Sequence, residues 1–188
     1  REMKSMTVGV LGTGNIGYAV IQNLQGFGCK ILAYDVYEND RVKEYATYVS
    51  LDEILAQSDI LTLHLPLMDS TKHIINDESL KKMKDGVVLI NCARGELADV
   101  RALVHGIESP KIGALGLDVV EGEEGIEHVD HRIDIISNEK MAYLRQFRNV
   151  VMTQHMAFYT EEAVEDMVHL GLSGILDMAV HEKGASEL

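Results

Sequence analysis

The sequence predicts a doubly wound α/β fold, a parallel sheet with helices on both faces. Two observations lead there. Apolar runs of strand length alternate with stretches of helical period along most of the chain. The first run, Val8-Gly9-Val10-Leu11, enters Gly12-Thr13-Gly14-Asn15-Ile16-Gly17, which opens an amphipathic stretch. Strands are expected at 7–11, 29–34, 47–49, 59–63, 87–91, 112–118 and 150–153. Helices are expected at 15–25, 51–57, 77–83, 99–105, 139–147 and 161–181. Ser50-Leu51-Asp52-Glu53 is a capping box for the second helix, and Asn76 followed by Asp77 and Glu78 suits the start of the third. Gly86, Gly106 and Pro110 stand where helices should stop. Thr160 can cap the last helix, with Glu161 and Glu162 in its first turn. Val164, Val168, Leu172, Ile175 and Ala179 give that helix an apolar face that needs a partner.

Composition narrows the function. The net charge of −13, with no basic run, makes nucleic acid and anionic membranes poor partners. No apolar run is long enough to span a bilayer. The two cysteines, Cys29 and Cys92, fall in or at the end of predicted strands and lack metal-ligand spacing, so a reducing, cytoplasmic setting is expected. The chain begins with charged Arg1-Glu2 and enters a strand almost at once, which reads as no secretory signal and as something missing upstream. The stretch 119–138 is long, acidic and histidine-bearing, and a loop of that length is functional or mobile. His128, Asp130, His131 and Asp134 within it read as a polar loop, and no metal site is expected.

Strand, Gly-x-Gly-x-x-Gly, helix, second strand and then Asp35, eighteen residues past Gly17, form the dinucleotide-binding fingerprint in its required context. Gly12 allows the tight turn, Gly14 lets backbone N–H groups approach a pyrophosphate, and Gly17 lets helix and strand close up. Asn15 and Ile16 lie inside the same turn and count among the cofactor-binding residues. A carboxylate at position 35 accepts both ribose hydroxyls and repels a 2′-phosphate, which selects NAD over NADP.

Ligands of open α/β sheets gather at the carboxyl ends of the strands. Polar residues stand just past four predicted strands: His64-Leu65-Pro66, Cys92-Ala93-Arg94-Gly95, Asp118 followed by Glu121 and Glu123, and Gln154-His155. An arginine, acids and histidines thus converge on the edge where the glycine turn would hold a dinucleotide. Histidine titrates near neutrality and can give or take a proton, a neighbouring carboxylate favours imidazolium, and guanidinium matches a carboxylate with two donors. Each residue alone has a plainer reading: a surface ion pair for Arg94, a solvated loop acid for Glu123, a structural histidine for His155. His64 reads either as a cofactor-side residue or as a structural histidine.

Asn91-Cys92-Ala93-Arg94-Gly95, Gly116-Leu117-Asp118-Val119, Glu121-Gly122-Glu123 and Gln154-His155 resemble the signatures of the NAD-dependent D-2-hydroxyacid dehydrogenases. The resemblance runs from about residue 6 to about 180. Glu121-Gly122-Glu123-Glu124-Gly125 and Ala157-Phe158-Tyr159-Thr160-Glu161-Glu162-Ala163 are most similar to the D-lactate and D-2-hydroxyisocaproate branch. The resemblance implies a Rossmann-like NAD-binding domain in which Arg94 binds the substrate carboxylate and carbonyl, His155 is the acid/base and Glu123 pairs with it. It also implies that Asp118 holds the nicotinamide amide and that Leu65, Pro66 and Thr71 border the cofactor, with Cys92 and Ala93 beside them. Gln154 departs from the family, much of which has proline there, and leaves the backbone before His155 less constrained.

The resemblance implies two lobes, of which this chain is expected to lack most of the substrate lobe. Residues 1–157 are expected to form the NAD-binding domain and 158–188 a helical segment that returns to the substrate lobe. The expected partners are a small 2-keto or 2-hydroxy acid and a second copy of the chain in a homodimer. The competing expectation is a non-catalytic NAD-binding regulatory module or decayed fragment. Retention of Arg94, Glu123 and His155 speaks against long decay.

Overall fold

Alternating apolar residues build the sheet. Val8 and Val10 of strand β1 (Thr7–Leu11) and Ile31 and Ala33 of β2 (Lys30–Tyr34) face one layer, while Leu11 and Leu32 face the other. The computed structural model describes residues 2–123 and 138–181. Within them β1 and β2 join β3 (Thr47–Tyr48), β4 (Ile60–Leu63), β5 (Val87–Asn91), β6 (Ile112–Leu117) and β7 (Val150–Met152) in one sheet. Its order is β3-β2-β1-β4-β5-β6-β7 and every neighbouring pair is parallel. The chain therefore winds outward from β1 and then restarts at β4 on the other side. That reversal, between β1 and β4, is the switch point at which such sheets bind ligands.

The helices are α1 (Asn15–Leu24), α2 (Asp40–Lys43), α3 (Leu51–Gln57), α4 (Asp77–Lys82), α5 (Val100–Glu108), α6 (Glu139–Leu144) and α7 (Glu161–His181). Ile21 of α1 and Val42 of α2 cover one face of the sheet, and Ile54, Leu80, Leu103 and Met141 belong to the core on the other. The capping box at Ser50 is formed in both directions, with Glu53 accepting from the Ser50 N–H at 2.9 Å. Asn76 caps α4 by accepting from Glu78 and Ser79.

Several expectations need correction. Gly106 does not stop a helix; α5 runs on to Glu108. A Cβ on Gly106 would lie 2.4 Å from Cδ1 of Ile112, so the glycine lets α5 lie against β6. Cys29 and Cys92 lie just outside β2 and β5 rather than within them. Helix α6 ends at Leu144, because the chain turns there and Phe147 packs back on the core, edge-on to Tyr143. Helix α2 has no counterpart in the sequence reading. It is one turn long, held by the Asn39 cap and the burial of Val42.

Contacts divide the chain into two units, 1–154 and 155–188. In the second, Thr160 Oγ1 accepts from the Ala163 N–H at the start of α7. Val168, Leu172 and Ile175 are exposed, and so are Met167, Leu170, Leu176 and Met178, so the apolar surface is wider than the expected stripe. Glu124, His128, Asp130, His131 and Asp134 lie outside the described residues, as do 182–188. Among the described residues no helix is long and apolar enough to cross a membrane.

Candidate active site

Because all strands run the same way, their carboxyl ends share one edge. The glycine turn sits at the switch point on that edge. Gly12 has φ +94°, and a Cβ there would lie 2.5 Å from the His64 carbonyl, so only glycine fits between the ends of β1 and β4. The two ends are tied by the His64 N–H donating to the Leu11 carbonyl at 2.6 Å. A Cβ on Gly17 would lie 2.0 Å from the Gly12 carbonyl oxygen, so α1 begins directly beneath the turn. Gly14 is the N-cap of α1, with no side chain capping the helix, and a Cβ on it would meet open space. Asn15 and Ile16 form the first turn, and Ile16 is 70% exposed. An uncapped ten-residue helix start with an open flank suits an anionic group such as a pyrophosphate.

Asp35 follows β2 and is half-buried. Its Oδ2 accepts from the Thr13 N–H at 2.7 Å and from the Thr13 hydroxyl at 3.1 Å, and its Oδ1 accepts from the Tyr37 N–H at 3.3 Å. The carboxylate is thus joined to the glycine turn itself. Past β4, His64 lies beside Thr62, with Nε2 and Oγ1 3.0 Å apart, and burial pushes its pKa below the usual value. Burial thus favours the neutral imidazole at His64. Leu65 is buried; Pro66, Leu67 and Met68 are exposed. Thr71 closes this loop, donating to the Pro66 carbonyl at 2.6 Å and accepting from the Met68 N–H.

The turn after β5 is held by buried Asn91, which accepts from the Ala93 N–H and donates to the Arg94 carbonyl. Arg94 is exposed; its Nη1 donates to the Ala93 carbonyl at 2.7 Å, and among the described residues it forms no ion pair. Burial, then the charge of Asp118, push the Cys92 thiol upward, so it is a neutral thiol rather than a nucleophile. A Cβ on Gly95 would lie 2.4 Å from the Val120 carbonyl carbon, so the Arg94 turn and the loop after β6 pack backbone to backbone.

Asp118, 4% exposed, follows β6 and accepts from the Thr153 hydroxyl past β7. The Glu123 carboxylate accepts from the Val120 N–H at 2.8 Å, closing its own turn. Glu121 has a different task. It pairs with His73 Nε2 at 2.6 Å and accepts from the Val100 N–H at the start of α5, joining three segments. Nothing in the sequence singles out His73; its pairing arises only when the loops after β4 and β6 meet. His155 opens the second unit with φ +54°, a left-handed conformation that non-glycine residues adopt seldom and at some cost. Among the described residues no group of three or more His, Cys, Asp or Glu could hold a metal ion.

Residues 1–157 match the model of the D-isomer specific 2-hydroxyacid dehydrogenase NAD binding domain. The chain belongs to that dehydrogenase family. Its cofactor is NAD. It is 47% identical over 175 residues to an aromatic 2-oxoacid reductase of Clostridium sporogenes, covering 93% of this chain and 53% of the relative. It is 43% identical over 189 residues to a D-lactate dehydrogenase of Leuconostoc mesenteroides, covering 98% and 56%. Among solved structures, a D-lactate dehydrogenase of Treponema pallidum superposes with a TM-score of 0.95 at 38% identity, covering 100% of this chain and 57% of that one. The NAD-complexed 2-hydroxyacid dehydrogenase of Lactobacillus delbrueckii gives 0.91 at 37% identity, with 99% and 57% covered. The chain spans about half the length of the curated relatives it matches.

Proposed function

We propose that this chain is the nucleotide-binding half of an enzyme that interconverts 2-keto acids and (R)-2-hydroxy acids, of the D-lactate dehydrogenase type. The observation that carries the reading is the joint placement of the glycine turn, Asp35, Arg94 and Asp118 at the carboxyl ends of one parallel sheet. We take 1–157 as the NAD-binding domain, in keeping with the span of the family match, and 158–188 as the segment that returns to a substrate lobe.

In this reading Gly12, Gly14, Asn15, Ile16 and Gly17 receive the pyrophosphate and Asp35 the ribose hydroxyls. His64, Leu65, Pro66, Thr71, Cys92 and Ala93 wall the cofactor, and Asp118 accepts from the nicotinamide amide. When bound there, NADH would supply the hydride that reduces the keto acid. Arg94 holds the substrate carboxylate through paired N–H donors and polarises the carbonyl; its lack of another ion pair among the described residues suits that task. His155 donates its proton to the carbonyl oxygen and takes it back in the reverse direction. We assign Glu123 the part of carboxylate partner to that acid/base in the full-length enzyme. The free thiols Cys29 and Cys92 suit a reducing compartment, and we place the enzyme in the cytoplasm as a homodimer.

The test is the full-length protein with NADH and a panel of 2-keto acids, including pyruvate, branched and aromatic members. NADH oxidation is expected, with the (R)-2-hydroxy acid as the product on chiral chromatography. An (S) product, or no oxidation with any member, contradicts the reading.

A further inference from the structure

We infer that Tyr48 is a positioning residue for cofactor selectivity, acting on Asp35 through the Thr13 hydroxyl. The inference rests on the reading that Asp35 receives the ribose. Tyr48 stands on the edge strand β3, with Ala33 of β2 as its register partner, and its phenol reaches the glycine turn. Its hydroxyl lies 2.7 Å from Thr13 Oγ1, and the Asn39 N–H donates to the phenol oxygen at 2.9 Å.

The direction of this chain follows from the chemistry of its end. An ionised carboxylate only accepts. The single hydroxyl proton of Thr13 is therefore committed to Asp35 Oδ2, and the contact between Thr13 and Tyr48 needs the proton of Tyr48. Asn39 supplies the remaining donor and completes a one-way series, Asn39 to Tyr48 to Thr13 to Asp35, whose members polarise one another. Thr13 is 2% exposed, so water does not readily replace the phenol. With two donors on Oδ2 and one on Oδ1, the plane of the Asp35 carboxylate is set before any nucleotide arrives. Asn39 also caps α2 and donates from Nδ2 to the Thr13 carbonyl at 3.4 Å, which gives the single-turn helix a role in the same device. A carboxylate fixed in this way meets the ribose diol without reorganising and cannot swing aside for a 2′-phosphate.

The test is equilibrium titration of the 188-residue chain with NADH and with NADPH, by calorimetry. Tyr48→Phe removes only the phenol oxygen, and Thr13→Val only the relay hydroxyl. Each is expected to lower the ratio of the NADPH to the NADH dissociation constant about fivefold, the worth of one hydrogen bond. Thr13→Ser, which keeps the hydroxyl, retains the ratio, and the Tyr48→Phe/Thr13→Val double variant is no worse than Thr13→Val alone. A purely structural role for Tyr48 would lower the melting temperature and weaken both nucleotides together, leaving the ratio unmoved, and that result overturns the inference. If Tyr48→Phe fails to fold, the comparison of Thr13→Val with Thr13→Ser decides. Asp35→Asn separates the two levels. Should it lower the ratio while Tyr48→Phe and Thr13→Val do not, the relay alone falls. Should Asp35→Asn also leave the ratio unchanged, the ribose reading falls and the relay with it.

Discussion

His155→Gln in the full-length enzyme lowers turnover of a 2-keto acid by at least about 100-fold, the usual cost of losing a general acid/base. Glutamine keeps a donor of similar reach but exchanges no proton near neutral pH. The loss is therefore expected on kcat rather than on nucleotide affinity, which changes by less than about twofold if, as proposed, the imidazole serves the keto acid and not the cofactor. His155 holds φ +54°, and a residue kept in that conformation suits a side chain whose aim matters. Steady-state kinetics alongside NADH titration check the prediction. A variant with near-wild-type kcat removes His155 from the mechanism.

The second large effect concerns the 188-residue chain by itself, which is expected to bind NADH yet turn over no 2-keto acid. Its glycine turn, sheet and core are its own, so the nucleotide finds its partners within residues 1–154. Turnover needs more. The keto acid must be held against the nicotinamide at reacting distance and shielded from water, which takes a second wall. The curated relatives are about twice as long as the region they share with this chain. An assay of the purified chain with NADH and several keto acids decides, and clear turnover by a sample of homogeneous mass would show the second wall to be dispensable.

Much of this was legible because the signals are local. Gly12, Gly14, Gly17 and Asp35 stand at spacings that the fold requires, and Ser50 with Glu53 and Asn76 with Asp77 and Glu78 mark helix starts within a few residues. The residues that escaped do so because their partners are distant in sequence. Tyr48 and Thr13 are thirty-five positions apart, and a tyrosine within a two-residue edge strand carries no mark of the turn it reaches. His73 and Glu121 meet only once β4 and β6 bring their loops together. Gly106 looked like a stop because the need for space under Ile112 cannot be read from one chain. Helix α7 is marked by its period, but a stripe of Val164, Val168 and Leu172 conceals that exposed Met167, Leu176 and Met178 flank it and that exposed Leu170 stands on the opposite face.

The measurement that bears most directly on the central claim, an NAD-selective dehydrogenase domain, is titration of the 188-residue chain with NADH and NADPH under one buffer and salt condition. The account predicts saturable NADH binding and NADPH binding at least about tenfold weaker, the effect of setting a 2′-phosphate against a fixed carboxylate. NADPH binding as tight as NADH, or no saturable binding of NADH, would contradict it.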